Sequence, residues 1–475
     1  MPDCKLKSIF LRAILPVSFE SLAPLKRLLI TKIVDSRTTL ELMRPMFFRT
    51  LIYLLACFSS AALRNSVFAD GPPNIVVILA DDLGCCDMAM YDGWVKTPRI
   101  EQMAKQGMLF TDFHTNSSVC SPTRAAFLTG RYQQRVGIVD VIVGSREPEN
   151  GINRSVPTLP RVFNDNGYAT GLFGKWHCGY QDQYNPLHHG FDEFVGFLNG
   201  ATDYHRHGAW RVGLEKKDVP GYSTHIITER SVDFIKRNKS NPFFLYVSHA
   251  AVHNPYQTAE DTPDKRVEGE NPNRINDKNR AKYKWMLKDL DKGVGKILDT
   301  LTELDLAKST LVMFFSDNGA VGMCPKEFRR FRGGKFSHYE GGHRVPAVAW
   351  WPGKIKEGSR SDRLVVGFDL FPTFTDIAGL SRNNPENLDG TSFKAHLLEQ
   401  QDFPFRDIFF GYEPKLGTAM RRGDWKMIVK QDDVQLFNLQ NDPQETTNVT
   451  SQNPEITKSM RQAIDQFKAE VTPGS

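Results

Sequence analysis

Two stretches of this chain admit few structural settings. Asn74-Ile-Val-Val-Ile-Leu-Ala80 and Ser309-Thr-Leu-Val-Met-Phe-Phe-Ser316 are apolar almost without interruption and have the length of strands. A strand with one wet face alternates polar and apolar residues. An unbroken run needs cover on both faces, as in a parallel sheet lined by helices on each side. Each run stops abruptly on oxygen-bearing side chains: Asp81-Asp82-Leu83-Gly84 after the first, Asp317-Asn318-Gly319 after the second. In open α/β sheets the carboxyl ends of the strands are where ligands bind. Four hard oxygen donors suit Ca²⁺ or Mg²⁺ better than zinc, which prefers nitrogen and sulfur. Asp-Asn-Gly is also a common turn, so either pair alone reads as a loop cap. The two together, with the cysteine motif described below, point to a metal site.

The rest of the chain alternates in the same style. Helices are expected over Pro98 to Gln106, Leu159–Asn166, Ile226–Arg237 and Arg280 to Leu304, with a helix-like stretch at Gly367–Gly379. Strands are expected at Met108–His114, Tyr168–Phe173, Phe243–Ser248 and Val345–Trp350. The strand at Tyr168–Phe173 runs into Gly174-Lys175-Trp176-His177, a basic cluster at a strand end. Phe243–Ser248 is followed by His249 and His253, of which His253 is better placed for chemistry, just before a turn. Thr258–Lys278 reads as a polar surface excursion. This pattern predicts a large, mostly parallel sheet sandwiched by helices, over residues 70–395. From about Arg406 the texture changes. Asp407–Tyr412, Thr418–Val429 and Val434–Leu439 are strand-like, and Pro454–Val471 is an amphipathic helix. The expectation is a smaller C-terminal domain, 396–475, of antiparallel sheet plus helix.

Composition matters chiefly at the N-terminus. The formal charge of +5 is concentrated in residues 1–69, which hold ten Lys/Arg against four Asp/Glu; the remainder has fifty bases and fifty-one acids, a net −1. A nucleic-acid partner is therefore not expected. Arg44 and Arg49 precede the apolar run Leu51–Leu63, and Val67-Phe68-Ala69 is a small-residue cleavage site. This reads as a secretory signal peptide that starts at Met43 or Met46, with residues 1–42 an upstream extension or misassigned start. The exported form, periplasmic or secreted, would begin near Asp70 without an integral membrane segment. A lipoprotein cleavage at Cys57 is the alternative. Five cysteines remain beyond Asp70 (Cys85, Cys86, Cys120, Cys178 and Cys324), too few for a disulfide framework, and their pairing is open.

Cys120-Ser-Pro-Thr-Arg124 opens a short apolar helix that continues into Leu128-Thr-Gly-Arg131. Pro122 suits a first helical turn, so Cys120 is expected at a helix N-terminus, where backbone N–H groups and the macrodipole favour an anion. Arg124, one turn on, is expected to face the same spot. By residues alone this is a nucleophile beside an anion pocket, or a buried structural cysteine. The spacing Cys-x-Pro-x-Arg excludes a Cys-x5-Arg phosphatase loop and resembles the signature of the type I sulfatases, members of the alkaline phosphatase-like superfamily. The resemblance runs from roughly Pro73 to Asn448. It is carried in order by the Asp81-Asp-Leu-Gly84 run, the cysteine motif, Gly174-Lys-Trp-His177, Ser316-Asp-Asn-Gly319, Gly333-Gly-Lys335, Tyr339-Glu-Gly-Gly342 and Leu436-Phe-Asn-Leu-Gln-Asn-Asp-Pro443. Cys85-Cys86, Cys178 and His343 depart from the family pattern.

The resemblance implies a sulfuric ester hydrolase acting on sulfated carbohydrate or aryl sulfates. Cys120 would be oxidised to formylglycine by a generating machinery during maturation. Asp81, Asp82, Cys120, Asp317 and Asn318 would hold one divalent cation, Ca²⁺ first and Mg²⁺ as the alternative. The catalytic set it implies is Cys120, Arg124, Lys175, His177, His253, Asp317 and Lys335. Within it the hydrated aldehyde attacks sulfur, Asp317 helps take its proton, Lys175 and Lys335 neutralise the sulfuryl oxygens, His253 protonates the leaving alcohol and His177 assists release of sulfate. Rival readings are a phosphate or phosphonate ester hydrolase of the same superfamily and an inactive homologue that binds sulfated glycan. Thr202–His207 and the run Lys326–Arg332 are expected to form a polar, cationic mouth.

Overall fold

The computed structural model describes residues 71–261, 274–413 and 417–471. The signal-peptide and Cys57 readings lie outside the described residues, as does most of the excursion expected at Thr258–Lys278. The strands are β1 (Asn74–Ala80), β2 (Met108–Phe110), β3 (Phe113–His114), β4 (Ala169–Lys175), β5 (Glu193–Phe197), β6 (Trp210–Val212), β7 (Glu215–Lys216), β8 (Phe243–Ser248), β9 (Thr310–Ser316), β10 (Ala347–Trp350), β11 (Ser359–Ser361), β12 (Val365–Val366), β13 (Asp407–Glu413), β14 (Gly417–Arg422), β15 (Trp425–Lys430) and β16 (Asp433–Asn438). The helices that matter below are α1 (Pro98–Lys105), α2 (Cys120–Thr129), α3 (Ser223–Arg237), α4 (Asp277–Glu303) and α5 (Pro454–Val471).

Ten strands form one sheet in the order β11-β2-β10-β9-β1-β8-β4-β5-β6-β7. Its centre, β9-β1-β8-β4-β5, is parallel throughout, and antiparallel pairings appear only toward the edges. The side-chain period of two explains the unbroken apolar run of β1. Val76 and Ile78 face one side, with Ile227 of α3 and Leu287 and Leu290 of α4. Ile75, Val77 and Leu79 face the other, with Phe127 and Leu128 of α2. The fold is thus a large, mostly parallel sheet between helices, followed by a separate antiparallel sheet, β13-β14-β15-β16. Helix α5 lies on that sheet, with Met460 and Ile464 packed among Met420, Met427 and Leu436.

Two expected strands are corrected. Met108–His114 is two strands: β2 pairs with β10 and β11 in the large sheet, while β3 pairs with β12. Asp112 separates them because its carboxylate is held by His114 and Arg421. Thr418–Val429 is a hairpin, β14 and β15, which turns at Gly423-Asp424 with Gly423 at φ 56°, a conformation glycine adopts without strain. The β6–β7 ribbon at the far edge was not anticipated, since its strands have only three and two residues.

A buried charge network ties the small sheet to the large one. Glu340 accepts from Lys426 Nζ at 2.9 Å and from Arg421 at 3.0 Å, with Arg344 at 3.2 Å. Glu445 lies 3.2 Å from the same Lys426 ammonium. Glu340 and Lys426 are both fully buried. Removing one partner of such a pair costs about 3–5 kcal/mol, because the other charge stays buried and uncompensated. Glu340→Ala should therefore lower the unfolding free energy by about that amount, read as a shift of the urea midpoint; a shift within error of the wild type would show that the network is not stabilising.

Candidate active site

Parallel register brings the site together. Ala80 of β1 pairs with Ser316 of β9, and Leu79 pairs with Ser248 of β8. β4 ends level with them, Gly174 opposite Ser248. The residues that follow these ends, Asp81-Asp82, Asp317-Asn318 and the loop to His253, therefore emerge on one edge beside Lys175, the last residue of β4. Helix α2 points its first turn at the same edge. Its ten residues are all buried, and it stops at Gly130 (φ 65°), whose N–H caps Ala126 and where a Cβ would lie 2.8 Å from Leu388.

Cys120 is the first residue of α2 and is 2% exposed. Its Sγ lies 3.4 Å from Asn318 Oδ1, 3.6 Å from Asp81 Oδ1 and 3.4 Å from Lys335 Nζ. Lys175 Nζ donates to Asp81 Oδ2 at 2.6 Å, and Lys335 Nζ to Asp82 Oδ1 at 2.6 Å. Asn318 Nδ2 also donates to Asp82 Oδ1, at 2.8 Å. Arg124 does not turn to the thiol as expected. Its Nε and Nη2 both donate to Asp317 Oδ2, at 3.0 and 2.8 Å, and its Nη1 donates to Ser248 Oγ and to the Lys175 carbonyl. Two donors matched to one carboxylate outbid a weak thiol acceptor.

His253 Nε2 lies 3.6 Å from Asp82 Oδ2, and its side chain, 15% exposed, is the most open of the group. His249 is buried, with neither ring nitrogen hydrogen-bonded, and burial pushes it down to about 3; it packs. His177 stands at φ 55°, with Nε2 3.1 Å from the Ile142 carbonyl and Nδ1 buried without a partner. A carbonyl can only accept, so Nε2 carries the proton and Nδ1 is the basic nitrogen. Burial and the neighbouring Lys175 hold this ring well below the usual histidine range, so it stays neutral at physiological pH.

All seven candidate catalytic residues and the whole oxygen set thus lie on or beside one edge. Three carboxylates are buried there with Arg124, Lys175 and Lys335. Burial, with Asp317 alongside, pushes the Asp81 carboxyl up despite Lys175. Burial acts the same way on Asp82 and Asp317, but Lys335, His253 and Lys175 together outweigh it at the first and Arg124, Lys175 and Lys335 together at the second, and both are held below the usual range. Asp81, Asp82, Cys120 and His253 offer ligand atoms that all lie within 4.8 Å of one another. With one oxygen of each of Asp81 and Asp82 on a lysine, Asp81 Oδ1 and Asp82 Oδ2 remain turned to Cys120 and His253. Hard oxygens crowded at such a point fit a divalent cation. Burial and Asp317 push the Cys120 thiol up to about 12, so the protein's groups by themselves leave it protonated at neutral pH.

Sequence reasoning missed the supports. Ser248 Oγ bridges Arg124 and the Lys175 carbonyl; Ser316 Oγ accepts from Leu83 N and donates to the Asn318 carbonyl. A serine closing an apolar strand was the signal for each. Tyr204 OH donates toward the carbonyls of Ala250 and His253. Tyr204 and His207 are buried, and His207 Nδ1 meets the Val219 carbonyl, so much of the Thr202–His207 stretch is structural rather than a mouth. In the basic run, Arg330 pairs with Asp92 and Arg329 donates to the Cys324 carbonyl. Gly334 admits the backbone of a neighbouring loop: a Cβ there would lie 2.4 Å from the Ala320 carbonyl oxygen.

Comparison with known proteins identifies the family. The sulfatase family model matches residues 73–380, and a model described as N-sulphoglucosamine sulphohydrolase, C-terminal, matches residues 331–470. An N-acetylgalactosamine-6-sulfatase of Canis lupus familiaris is 33% identical over 414 residues, covering 81% of this chain and 76% of the relative. An arylsulfatase of Hemicentrotus pulcherrimus is 30% identical, covering 74% of this chain and 67% of the relative. The crystal structure of Ps i-CgsB in complex with k-i-k-neocarrahexaose superposes with a TM-score of 0.76 at 29% identity, over 85% of this chain and 94% of that one. The chain belongs to the sulfatase family, within the alkaline phosphatase-like superfamily, and is a sulfuric ester hydrolase.

Proposed function

We propose that this enzyme removes sulfate from sulfated carbohydrate, with Cys120 oxidised to formylglycine as its nucleophile-bearing residue. The observation that carries this reading is the position of Cys120 Sγ. It is recessed at the sheet edge, in reach of Asp81, Asn318 and Lys335. Relatives named for N-acetylgalactosamine-6-sulfate and a similar structure holding a neocarrahexaose support a carbohydrate substrate. Residues 70–395 would carry the chemistry and 396–475 an accessory lobe. Export fits the leader read from the sequence, and among the described residues no helix is long and apolar enough to cross a membrane.

As its hydrate, formylglycine would supply one hydroxyl for attack on sulfur and a second for expulsion of sulfate. Asp81, Asp82, Asp317 and Asn318 would hold a divalent cation, which would supply Lewis acidity beside Cys120. The protein's own groups do the rest. Lys335, beside the thiol position, and Lys175, on the neighbouring Asp81, are buried cations that neutralise charge on the sulfuryl oxygens, which counts for more here than in water. Arg124 fixes Asp317 through two hydrogen bonds, so that its ionised carboxylate can take the attacking group's proton. His253, at the open side, protonates the leaving alcohol. His177, neutral with a free Nδ1, assists the departure of sulfate.

Four measurements test this. Mass spectrometry of the active, exported protein should find an N-terminus near Asp70 and formylglycine at Cys120; unmodified cysteine in fully active enzyme would refute the mechanism. Asp317→Ala should abolish detectable Ca²⁺ binding by calorimetry and lower turnover by about 10³-fold or more, whereas retained Ca²⁺ affinity would overturn the ligand assignment. His253→Ala should slow release of sugar alcohols by about 10²–10⁴-fold but spare aryl sulfates, whose phenolate leaves without a proton. Equal losses on both would remove His253 from the acid role. Assayed on matched esters, the wild type should cleave sulfate in preference to phosphate.

A further inference from the structure

Cys86 and Cys324 are absorbed by none of the chemistry above, yet the fold sets them side by side. Cys86 lies in the short turn Cys85–Asp87, four residues beyond Asp82. Cys324 lies six residues beyond Asn318, buried. Their sulfurs lie within 4.8 Å of one another, and Cys324 Sγ sits 3.4 Å from the Cys86 carbonyl. A hydrogen bond between the two thiols, with burial, pushes Cys86 above the usual range. The two loops are in close contact nearby, since a Cβ on Gly84 would lie 2.7 Å from that of Ala320. The stretch around Cys324 is pinned by Arg329, whose Nε and Nη2 both donate to the Cys324 carbonyl.

We infer that Cys86 and Cys324 form a disulfide in the mature enzyme, which ties the loop carrying Asp81 and Asp82 to the loop carrying Asp317 and Asn318. The rival use of the same cluster, a soft-metal site with Asp87, fails on the carboxylate. Asp87 Oδ2 accepts from Gly84 N at 2.9 Å and Tyr283 OH at 2.8 Å, and Oδ1 from Trp94 Nε1 at 3.0 Å, which leaves two sulfurs and no third ligand. Cys85 is no competitor: it is turned to the Arg344 carbonyl, 3.7 Å away. Cys86 is half-buried and lines a cavity of about 270 Å³ together with Cys324 and Lys335, so an oxidant can reach it. The oxidant is a disulfide, protein-borne or small. Cys86 attacks it to give a mixed disulfide and one thiol, and Cys324 then displaces the second thiol. Two thiols thereby lose two protons and two electrons, one S–S bond forms, and the oxidant's own S–S bond is reduced. A cross-link between residues so far apart in sequence constrains the unfolded chain strongly.

The inference rests on export to an oxidising compartment, and its test is arranged to separate the two. Purified full-length protein is equilibrated with reduced and oxidised glutathione, alkylated under denaturing conditions, and mapped by mass spectrometry without reduction. A peptide pair joining Cys86 to Cys324, two hydrogens lighter than its parts, is expected, with Cys85 and Cys178 alkylated. Alkylation of both Cys86 and Cys324, or pairing of either with another cysteine, overturns the inference whatever the compartment. The same map of protein taken from the cell tests export: a bond formed in glutathione but absent there would count against export, not against the pairing. Cys86→Ser, Cys324→Ser and the double variant should each lower the thermal midpoint by the same few degrees, and reductant should lower only the wild type. Losses that add in the double variant would show independent packing effects instead of one bond.

Discussion

The structure turns on the burial of three carboxylates beside one another. Asp81, Asp82 and Asp317 are at most 1% exposed, and unpaired charges so placed would cost several kcal/mol each. Arg124, Lys175 and Lys335 answer them one for one. The balance is incomplete, because Asp81 remains pushed up by burial and by Asp317. That residual crowding is what a resident cation would relieve. It also accounts for the sulfur: within reach of carboxylates and far from bulk water, a thiol keeps its proton.

Such a cluster can be assembled only if the strand ends are level, and the parallel register sees to it. Shifting β9 by one residue against β1 would turn Ser316 and its neighbours to the opposite face and carry Asp317 away from Arg124. The apolar runs that fill both faces hold that register, with Ile75, Val77 and Leu79 in one core and Val76 and Ile78 in the other. Hydrophobic patterning and catalytic geometry are therefore the same constraint, read once along the strand and once at its end.

That coupling explains what was legible in the sequence. The fold class followed from β1 and β9, and the oxygen set from what stands after them. Cys120, Lys175 and His177 were picked out through motifs at a helix or strand end, and Lys335 through a Gly-Gly-Lys motif in a loop. Other features resisted because they depend on distant partners. Nothing local says that Arg124 prefers Asp317, which lies 193 residues away, to the thiol four residues before it. His207 looked like a surface histidine until Val219 and Ser223 were folded over it. The break between β2 and β3 at Asp112 is likewise set by Arg421, from the other sheet.

The small C-terminal sheet has a part in the active site that its distance along the chain conceals. Lys335 stands in a loop held at one end by its own N–H on the Ala320 carbonyl and by Phe336 N on Ser118. Just beyond, Glu340 is gripped by Lys426 and Arg421 of that sheet, and its N–H donates to Glu445. His338 Nε2 meets the Gly417 carbonyl of the same sheet. A lysine side chain has many rotamers, and placing its ammonium 2.6 Å from Asp82 requires a backbone that does not drift. The antiparallel sheet supplies the fixed point from which Lys335 reaches Cys120, so that one network of buried charge holds another in place.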